Sequence, residues 1–326
     1  MTRALAMISG GLDSILAAKL IKDQGIEVIG VCFRSFFFNE DNAKRMTKQI
    51  DIPLEVVDFS EDHFTMVKKP KHGHGKNMNP CIDCHAMMMR YSGELLDKFN
   101  ADFIITGEVL NQRPMSQNKG ALNLVKKESG IGHKILRPLC ALNLPETEME
   151  EQGLVDRSKL LNISGRGRKV QMELAKQWGI VDYPSPAGGC KLTEPGFSKR
   201  LRDLVEHKEN VTPEDLQLLT IGRHFRVTDR CKIVSTRTKD EVDILRACLT
   251  KEDLCMMARD FNGSLIAIIG EYTDEDLNFA AQITKRYCKG KDEASIVVKY
   301  GNFGMPSSNE IEIKGITEEE MQKYML

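Results

Sequence analysis

The chain has 326 residues, with 46 Lys+Arg set against 47 Asp+Glu and a formal net charge of −1. At ~100–200 residues per domain that length predicts two or three domains, long enough to bury real cores. The charge balance excludes a wholly basic nucleic-acid binder, so any attraction to RNA has to come from local patches. Hydrophobic residues at 41% and charged residues at 29% exclude bulk disorder and a fibre. The N-terminal MTRALAMISGGLDS breaks its apolar run before a signal-peptide core could form, and no stretch approaches the ~20 apolar residues of a membrane span. Nine cysteines without a secretion signal favour a reducing compartment. The expectation is a cytoplasmic protein with no membrane association.

The first 110 residues alternate short β-branched runs with amphipathic stretches, the pattern of βαβ units and a parallel sheet. Strands are expected at Ala4–Ile8, Glu27–Phe33, Leu54–Asp58 and Phe103–Thr106, with helices at Asp13–Gln24 and Glu40–Gln49 between them. An open α/β fold of this kind binds its ligands at the carboxyl ends of the strands. Val67–Asn79, VKKPKHGHGKNMN, reads as an exposed loop leading into Cys81-Ile82-Asp83-Cys84. Gly107–Gly132, with Asn111, Gln112, Arg113 and Gln117, reads as a second polar loop over the same sheet edge. Pro145–Lys208 reads as helical, with helices at Gly167–Trp178 and Phe197–Lys208 interrupted by Pro184–Cys190. Beyond Thr212 strands (Phe225–Val227, Cys231–Ser235, Ser264–Ile269, Ser295–Tyr300, Glu310–Ile313) mix with a helix at Glu275–Tyr287, as in a smaller α+β domain. The division falls between a catalytic unit, 1–210, and a second domain, 211–326.

Ser9-Gly10-Gly11-Leu12-Asp13-Ser14 sits where the first strand passes into the first helix, so its backbone N–H groups converge on an anion with the helix dipole behind them. The glycines permit the tight turn, Ser9 and Ser14 donate hydroxyls, and Asp13 caps the helix or helps hold magnesium. A Walker P-loop needs Gly-Lys-Ser/Thr, and no lysine is present. Gly107 and Glu108, at the carboxyl end of Phe103–Thr106, join the nucleotide site by position. Cys81 and Cys84 form a CxxC followed by His85, and Cys190 lies in a Gly-Gly-Cys turn about a hundred residues on. The three thiols can meet above the sheet, where a CxxC presents both thiolates to one metal centre; alone, a CxxC reads equally as a zinc knuckle, a redox pair or chance. Zinc on Cys81, Cys84, His85 and Cys190 is the structural alternative. The other six cysteines (Cys32, Cys140, Cys231, Cys248, Cys255, Cys288) read as small buried hydrophobes. Basic clusters at Lys68, Lys69 and Lys71, at Arg166, Arg168 and Lys169, and at Lys199, Arg200 and Arg202 are candidate RNA-phosphate contacts.

SGGLDS after the first strand strongly resembles the SGGxDS motif of the PP-loop ATP pyrophosphatases. That resemblance implies cleavage of ATP between the α and β phosphates and transfer of AMP to a substrate oxygen, with Asp13, Cys81 and Cys190 in catalytic roles. The CxxC with a distant cysteine resembles tRNA thiolases that hold a 4Fe-4S cluster on three cysteines, with one iron open for sulfide. A related branch uses one cysteine as a persulfide and a second to release it as a disulfide. RPLCAL at 137–142, LPETEMEEQGLVDR at 144–157 and the segment 181–204 resemble tRNA 2-thiouridylase-like proteins, and the last hundred residues resemble the RNA-binding region of NFACT proteins. The implied function is an ATP-dependent tRNA sulfurtransferase using ATP, Mg2+, a cysteine-held cluster and a protein or inorganic sulfur donor. The alternatives are a PP-loop ligase or sulfurtransferase for a small molecule, and a zinc-stabilised RNA-binding protein without turnover.

Overall fold

The computed structural model describes residues 1–185 and 190–326. They form two compact units, Met1–Thr193 and Glu194–Leu326. The glycines of the expected Gly-Gly-Cys turn, Gly188 and Gly189, lie outside the described residues.

In the first unit, β1 (Arg3–Met7), β2 (Glu27–Arg34), β3 (Leu54–Asp58), β4 (Phe103–Thr106) and the short β5 (Ile135–Leu136) make one sheet in the order β3-β2-β1-β4-β5. Every pairing in it is parallel. Among the described residues it is accompanied by α1 (Leu12–Lys22), α2 (Asp41–Lys48), α3 (Ser60–Lys68), α4 (Cys81–Phe99), α5 (Lys119–Glu128), α6 (Glu148–Glu151) and α7 (Lys169–Gln177). Successive strand residues face opposite sides. Ala4 and Ala6 of β1 therefore pack with Ile15, Leu16 and Ile21 of α1, while Leu5 packs with Val31, Ile104 and the α4 side chains Met87, Tyr91 and Leu95. Burial on both faces explains why these strands read as continuous apolar runs. From β1 the chain moves outward through β2 and β3, then returns to pair β4 on the other side of β1. The carboxyl ends of β1 and β4 thus flank the switch point of the sheet, where such folds bind ligands.

The four long strands and the first two helices fall where the sequence places them, within two residues at each end. Gly107–Gly132 is not loop throughout. The Asn118 side chain accepts from the Ala121 amide at 2.9 Å and starts α5, which buries Ala121, Leu122 and Val125. Pro145–Lys208 is less helical than its pattern suggests. Between α6 and α7 it holds only a short helical turn at Arg157–Lys159.

The second unit begins with α8 (Pro195–His207), which Pro195 opens at its first turn. The boundary in the structure therefore precedes this helix, whereas the sequence division at 210 follows it. After α9 (Pro213–Leu218) come β6 (Arg223–Arg226), β7 (Cys231–Ser235), α10 (Lys239–Cys248), β8 (Leu254–Ala258), β9 (Ile266–Gly270), α11 (Asp274–Arg286), β10 (Ser295–Asn302), β11 (Asn309–Lys314) and α12 (Glu318–Gln322). The strands form an antiparallel sheet in the order β11-β10-β8-β9-β7-β6. Ile233, Met256 and Ile268 pack beneath Leu277, Ala280 and Ile283 of α11, and Val234 and Ala267 face Leu245 of α10. Among the described residues no helix is long and apolar enough to cross a membrane.

Candidate active site

The turn between β1 and α1 is tightly constrained and leaves no room for a side chain at Gly10. Gly10 has φ +78°, and a Cβ there would stand 2.6 Å from Asn42 Cβ and 2.8 Å from the Ala43 nitrogen. Gly11 precedes α1 in an extended conformation with no side chain capping the helix, so the first-turn amides of α1 are not taken by a cap. Ser14 Oγ donates to the Gly11 carbonyl at 2.8 Å and lies 3.4 Å from Ser9 Oγ, which accepts weakly from the Gly11 amide at 3.3 Å. From the opposite side Gly107 follows the end of β4, and a Cβ there would fall 2.5 Å from both the Cα and the nitrogen of Ser14. Glycine is required there because no side-chain rotation relieves a clash with backbone.

Asp13 lies in the first turn of α1. Its Oδ2 accepts from Gln112 Nε2 at 2.6 Å, and its Oδ1 is buried with no hydrogen-bond partner. A buried carboxylate oxygen left without a donor is costly unless a cation or a ligand satisfies it. Asp13 thus fits a magnesium ion accompanying the nucleotide phosphates.

Glu108 follows Gly107 but is held inward. Arg137 Nε donates to its Oε2 at 2.8 Å, Thr106 Oγ1 stands 3.2 Å from the same oxygen, and His85 Nδ1 lies 3.0 Å from Oε1. Burial works to raise the Glu108 carboxyl, but the Arg137 charge and then His85 overcome it and pull its pKa down to about 2. Both carboxylate oxygens are occupied, so Glu108 acts as a strut between β4, Arg137 and the cysteine-bearing helix α4.

Cys81 and Cys84 occupy the first turn of α4, three residues apart and so on one face. The loop before them is tied to the CxxC itself. His72 bonds Asp83 through both its amide, at 2.9 Å, and its Nδ1, at 2.8 Å, and Asn79 Nδ2 donates to Cys81 Sγ at 3.2 Å. The Cys190 segment is brought in by two long-range bonds, Asn77 Nδ2 to the Thr193 carbonyl at 2.6 Å and the Lys191 amide to the Phe37 carbonyl at 3.3 Å. Burial first, then the charges of Cys190 and Cys81, push the Cys84 thiol well above its ordinary range. Cys84 therefore feels both of the other cysteines. Among the described residues no three His, Cys, Asp or Glu side chains stand at metal-holding distances. His85, the fourth zinc donor of the alternative reading, bonds Glu108 through Nδ1.

The basic candidates separate by what they touch. Lys68 lies over the Phe64 ring at 5.0 Å, Lys71 pairs with Glu128 at 2.6 Å, and Lys69 is exposed. Arg166 is exposed, Lys169 stands 3.9 Å from Glu173, and Arg168 has a buried Nε with no partner. In the second unit Lys199 donates to the Met325 carbonyl at 2.5 Å and Arg202 is exposed. Arg200 instead spends its guanidinium on the carbonyls of Leu219 (2.9 Å), Ile221 (3.3 Å) and Gly222 (3.0 Å). Sequence reasoning did not single out Gln171, which is fully buried on α7 and reaches Gln112. A glutamine at a position where α7 buries its apolar face was the available signal.

A glycine-serine turn at the switch point of a parallel sheet, with an uncapped helix behind it, is the arrangement expected of a PP-loop-like α/β fold. Residues 1–148 match the family model described as thiamine biosynthesis protein (ThiI), and residues 222–325 match the model described as NFACT protein RNA binding domain. The N-terminal part of the chain is thus similar to a PP-loop family that includes tRNA-thiolation proteins, and its C-terminal part is similar to an NFACT-type RNA-binding region. Among curated proteins it is similar to the tRNA-specific 2-thiouridylase MnmA of Natranaerobius thermophilus, at 35% identity over 26% of this chain and 28% of the relative. The MnmA of Marinobacter nauticus is 29% identical over 48% of each chain. The chain thus spans about half or less of the length of these relatives. Among solved structures, a 4-thiouridine synthetase–RNA complex with bound ATP aligns over 55% of this chain and 50% of its own, at 18% identity and a TM-score of 0.36.

Proposed function

We propose that this protein is an ATP-dependent tRNA sulfurtransferase that replaces a uridine carbonyl oxygen with sulfur. The observation that carries the reading is the Gly107–Glu108 step. One residue packs on the phosphate turn at Ser14 and the next grips His85, beside the CxxC. Ser9, Gly10, Gly11, Leu12 and Ser14 hold the ATP phosphates, with Gly107 against the turn and Asp13 on magnesium. The substrate oxygen attacks the α-phosphorus, and pyrophosphate leaves with the bonding electrons. A sulfur nucleophile then adds at the activated carbon, and AMP departs. Positioning two reactants in this way removes much of the entropy cost of their encounter.

Cys81, Cys84 and Cys190 are the residues we assign to sulfur, a role supported by the electrostatic influence of both Cys81 and Cys190 on Cys84. When bound on them, a 4Fe-4S cluster would supply an open iron for sulfide. A persulfide on one of these cysteines is the second way to hold the same atom, and release as a disulfide then needs a neighbouring thiol such as Cys84. The NFACT-type unit supports RNA as the substrate, as do the names of the relatives.

The deciding experiment measures modified nucleosides by mass spectrometry in bulk tRNA from a strain lacking the protein and from its parent. Loss of one thionucleoside, restored by the wild-type chain but not by Asp13→Asn, is the expected result. Persistence of every thionucleoside in a strain without a redundant enzyme refutes it in favour of a small-molecule substrate. Iron and acid-labile sulfide in anaerobic protein, measured against reductant-releasable persulfide, separate the two sulfur carriers.

A further inference from the structure

The geometry points to Gln112 and Gln171 as positioning residues that hold the Asp13 carboxylate with one oxygen turned free for the magnesium ion. The inference rests on reading the β1–α1 turn as an ATP site. An ionised carboxylate only accepts hydrogen bonds, so Gln112 has to present its NH2 group to Asp13, and it does so at 2.6 Å. That choice turns the Gln112 carbonyl oxygen away, where it accepts from Gln171 Nε2 at 3.0 Å. Gln171 is fully buried on α7, and its own oxygen is buried without a partner. The polarity of the chain is thus dictated from the Asp13 end. Gln171 locks the Gln112 amide, and the Gln112 amide locks Oδ2 of Asp13. Oδ1 is left buried with no donor.

Two amides arranged in series behind an acidic oxygen form a support for an ion ligand, because they fix its rotamer without competing for the free lone pairs. A hydrophobic contact in their place would leave Asp13 able to rotate. A basic partner would neutralise it and weaken its pull on a cation. Neutral amides avoid both effects. The three residues come from α1, from the segment after β4 and from α7, so the support is built by tertiary packing and not by one local turn.

The test uses the full-length protein with α,β-methylene-ATP, which cannot be cleaved at the bond in question, and reads bound Mn2+ by electron paramagnetic resonance. Gln112→Met keeps side-chain length and removes the hydrogen bonds. It is expected to weaken Mn2+ binding to the nucleotide complex by about 10- to 100-fold, the usual loss when the support of a metal ligand is removed. Nucleotide affinity measured in EDTA should stay at the parental value. Gln171→Met should weaken Mn2+ in the same direction and by less, while Gln112→Glu, which sets a second carboxylate against Asp13, should fail to behave as Gln112→Met does in EDTA. Asp13→Asn is the reference. If it loses Mn2+ affinity and Gln112→Met does not, the positioning role is overturned and the magnesium assignment stands. If Asp13→Asn also leaves the ion unaffected, or the parent binds no nucleotide, the reading of the turn fails and the inference fails with it. A Gln112→Met protein that fails to fold shows a shifted melting curve, and Gln171→Met then decides the matter.

Discussion

Replacing Glu108 with glutamine keeps its shape and removes its charge. Arg137, only 6% exposed, then faces a neutral amide in place of a carboxylate. The Glu108 pKa is lowered from 4.5 to about 2 in the folded chain. At 1.36 kcal/mol per unit this is worth about 3 kcal/mol of stability, comparable with the ~3–5 kcal/mol expected when a buried ion pair loses one partner. Because the folded pKa is the lower one, the contribution is fully present above the unfolded value of 4.5 and is lost as pH falls toward about 2. The chain has a single tryptophan, Trp178, packed against the core of the first unit, so its fluorescence reports unfolding of that unit. In urea at pH 7, Glu108→Gln should therefore unfold about 2–4 kcal/mol more readily than the parent. The gap should narrow as both are taken from pH 4.5 down to pH 3, where part of the parent's advantage is already gone. Equal midpoints at pH 7, or a gap that does not change with pH, would show that the carboxylate is not the electrostatic strut assigned to it.

Gly107→Ala drives a Cβ to 2.5 Å from Ser14 backbone atoms; it should cost about 1–3 kcal/mol and weaken α,β-methylene-ATP binding, and an unaltered melt with unaltered affinity refutes the close approach. Arg200→Ala strips the partner from three carbonyls and should speed amide exchange around Leu219–Gly222 by an opening cost of about 2 kcal/mol. Exposed Arg202→Ala should leave that exchange alone while lowering the salt slope of tRNA binding by about 1, and an unchanged slope removes Arg202 from the interface. His63, fully buried against Phe59 with neither ring nitrogen bonded, has its pKa lowered by burial from 6.5 to about 4. It contributes stability above pH 6.5 that is lost as pH falls toward 4, so His63→Phe should flatten the acid limb of the Trp178 unfolding curve, and an identical limb in both proteins rules the effect out.

How much of this was legible in the sequence depended on distance along the chain. The phosphate turn was readable because strand, glycines and helix start lie within a dozen residues. The CxxC was readable for the same reason. Cys190 was legible as a third thiol for that pair from its glycine turn and from the resemblance, but the bonds that tie its segment, Asn77 to Thr193 and Lys191 to Phe37, reach across most of the unit and were not. Strand β8, LCMMA, was missed because it lacks the β-branched residues that mark strands, although it pairs on both sides within its sheet. Arg200 shows the limit for charged residues. SKRLR displays three cations, and nothing in their order says that the middle one is turned into carbonyls. Gln112 and Gln171 are 59 positions apart, and only folding makes them neighbours.

The Gly107–Glu108 step explains why the two halves of the site stay in register. Neighbouring residues of an extended chain point to opposite sides, and in this sheet the two sides are occupied by different helices. Helix α1, which begins at the phosphate turn, covers one face, and α4, which begins at the CxxC, covers the other. A strand ending at the switch point can therefore touch both helix starts with consecutive residues. Glycine is needed on the α1 side, where Ser14 backbone closes in, and a long anionic side chain on the α4 side, where His85 and Arg137 wait. Exchanging the two residues would place a carboxylate against the proposed site of the ATP phosphates and leave Arg137 buried without a counter-charge. Such a Gly107→Glu, Glu108→Gly double variant should lose both nucleotide binding and the stability of the first unit. Retention of either by that protein would mean that the strand end is not what couples them.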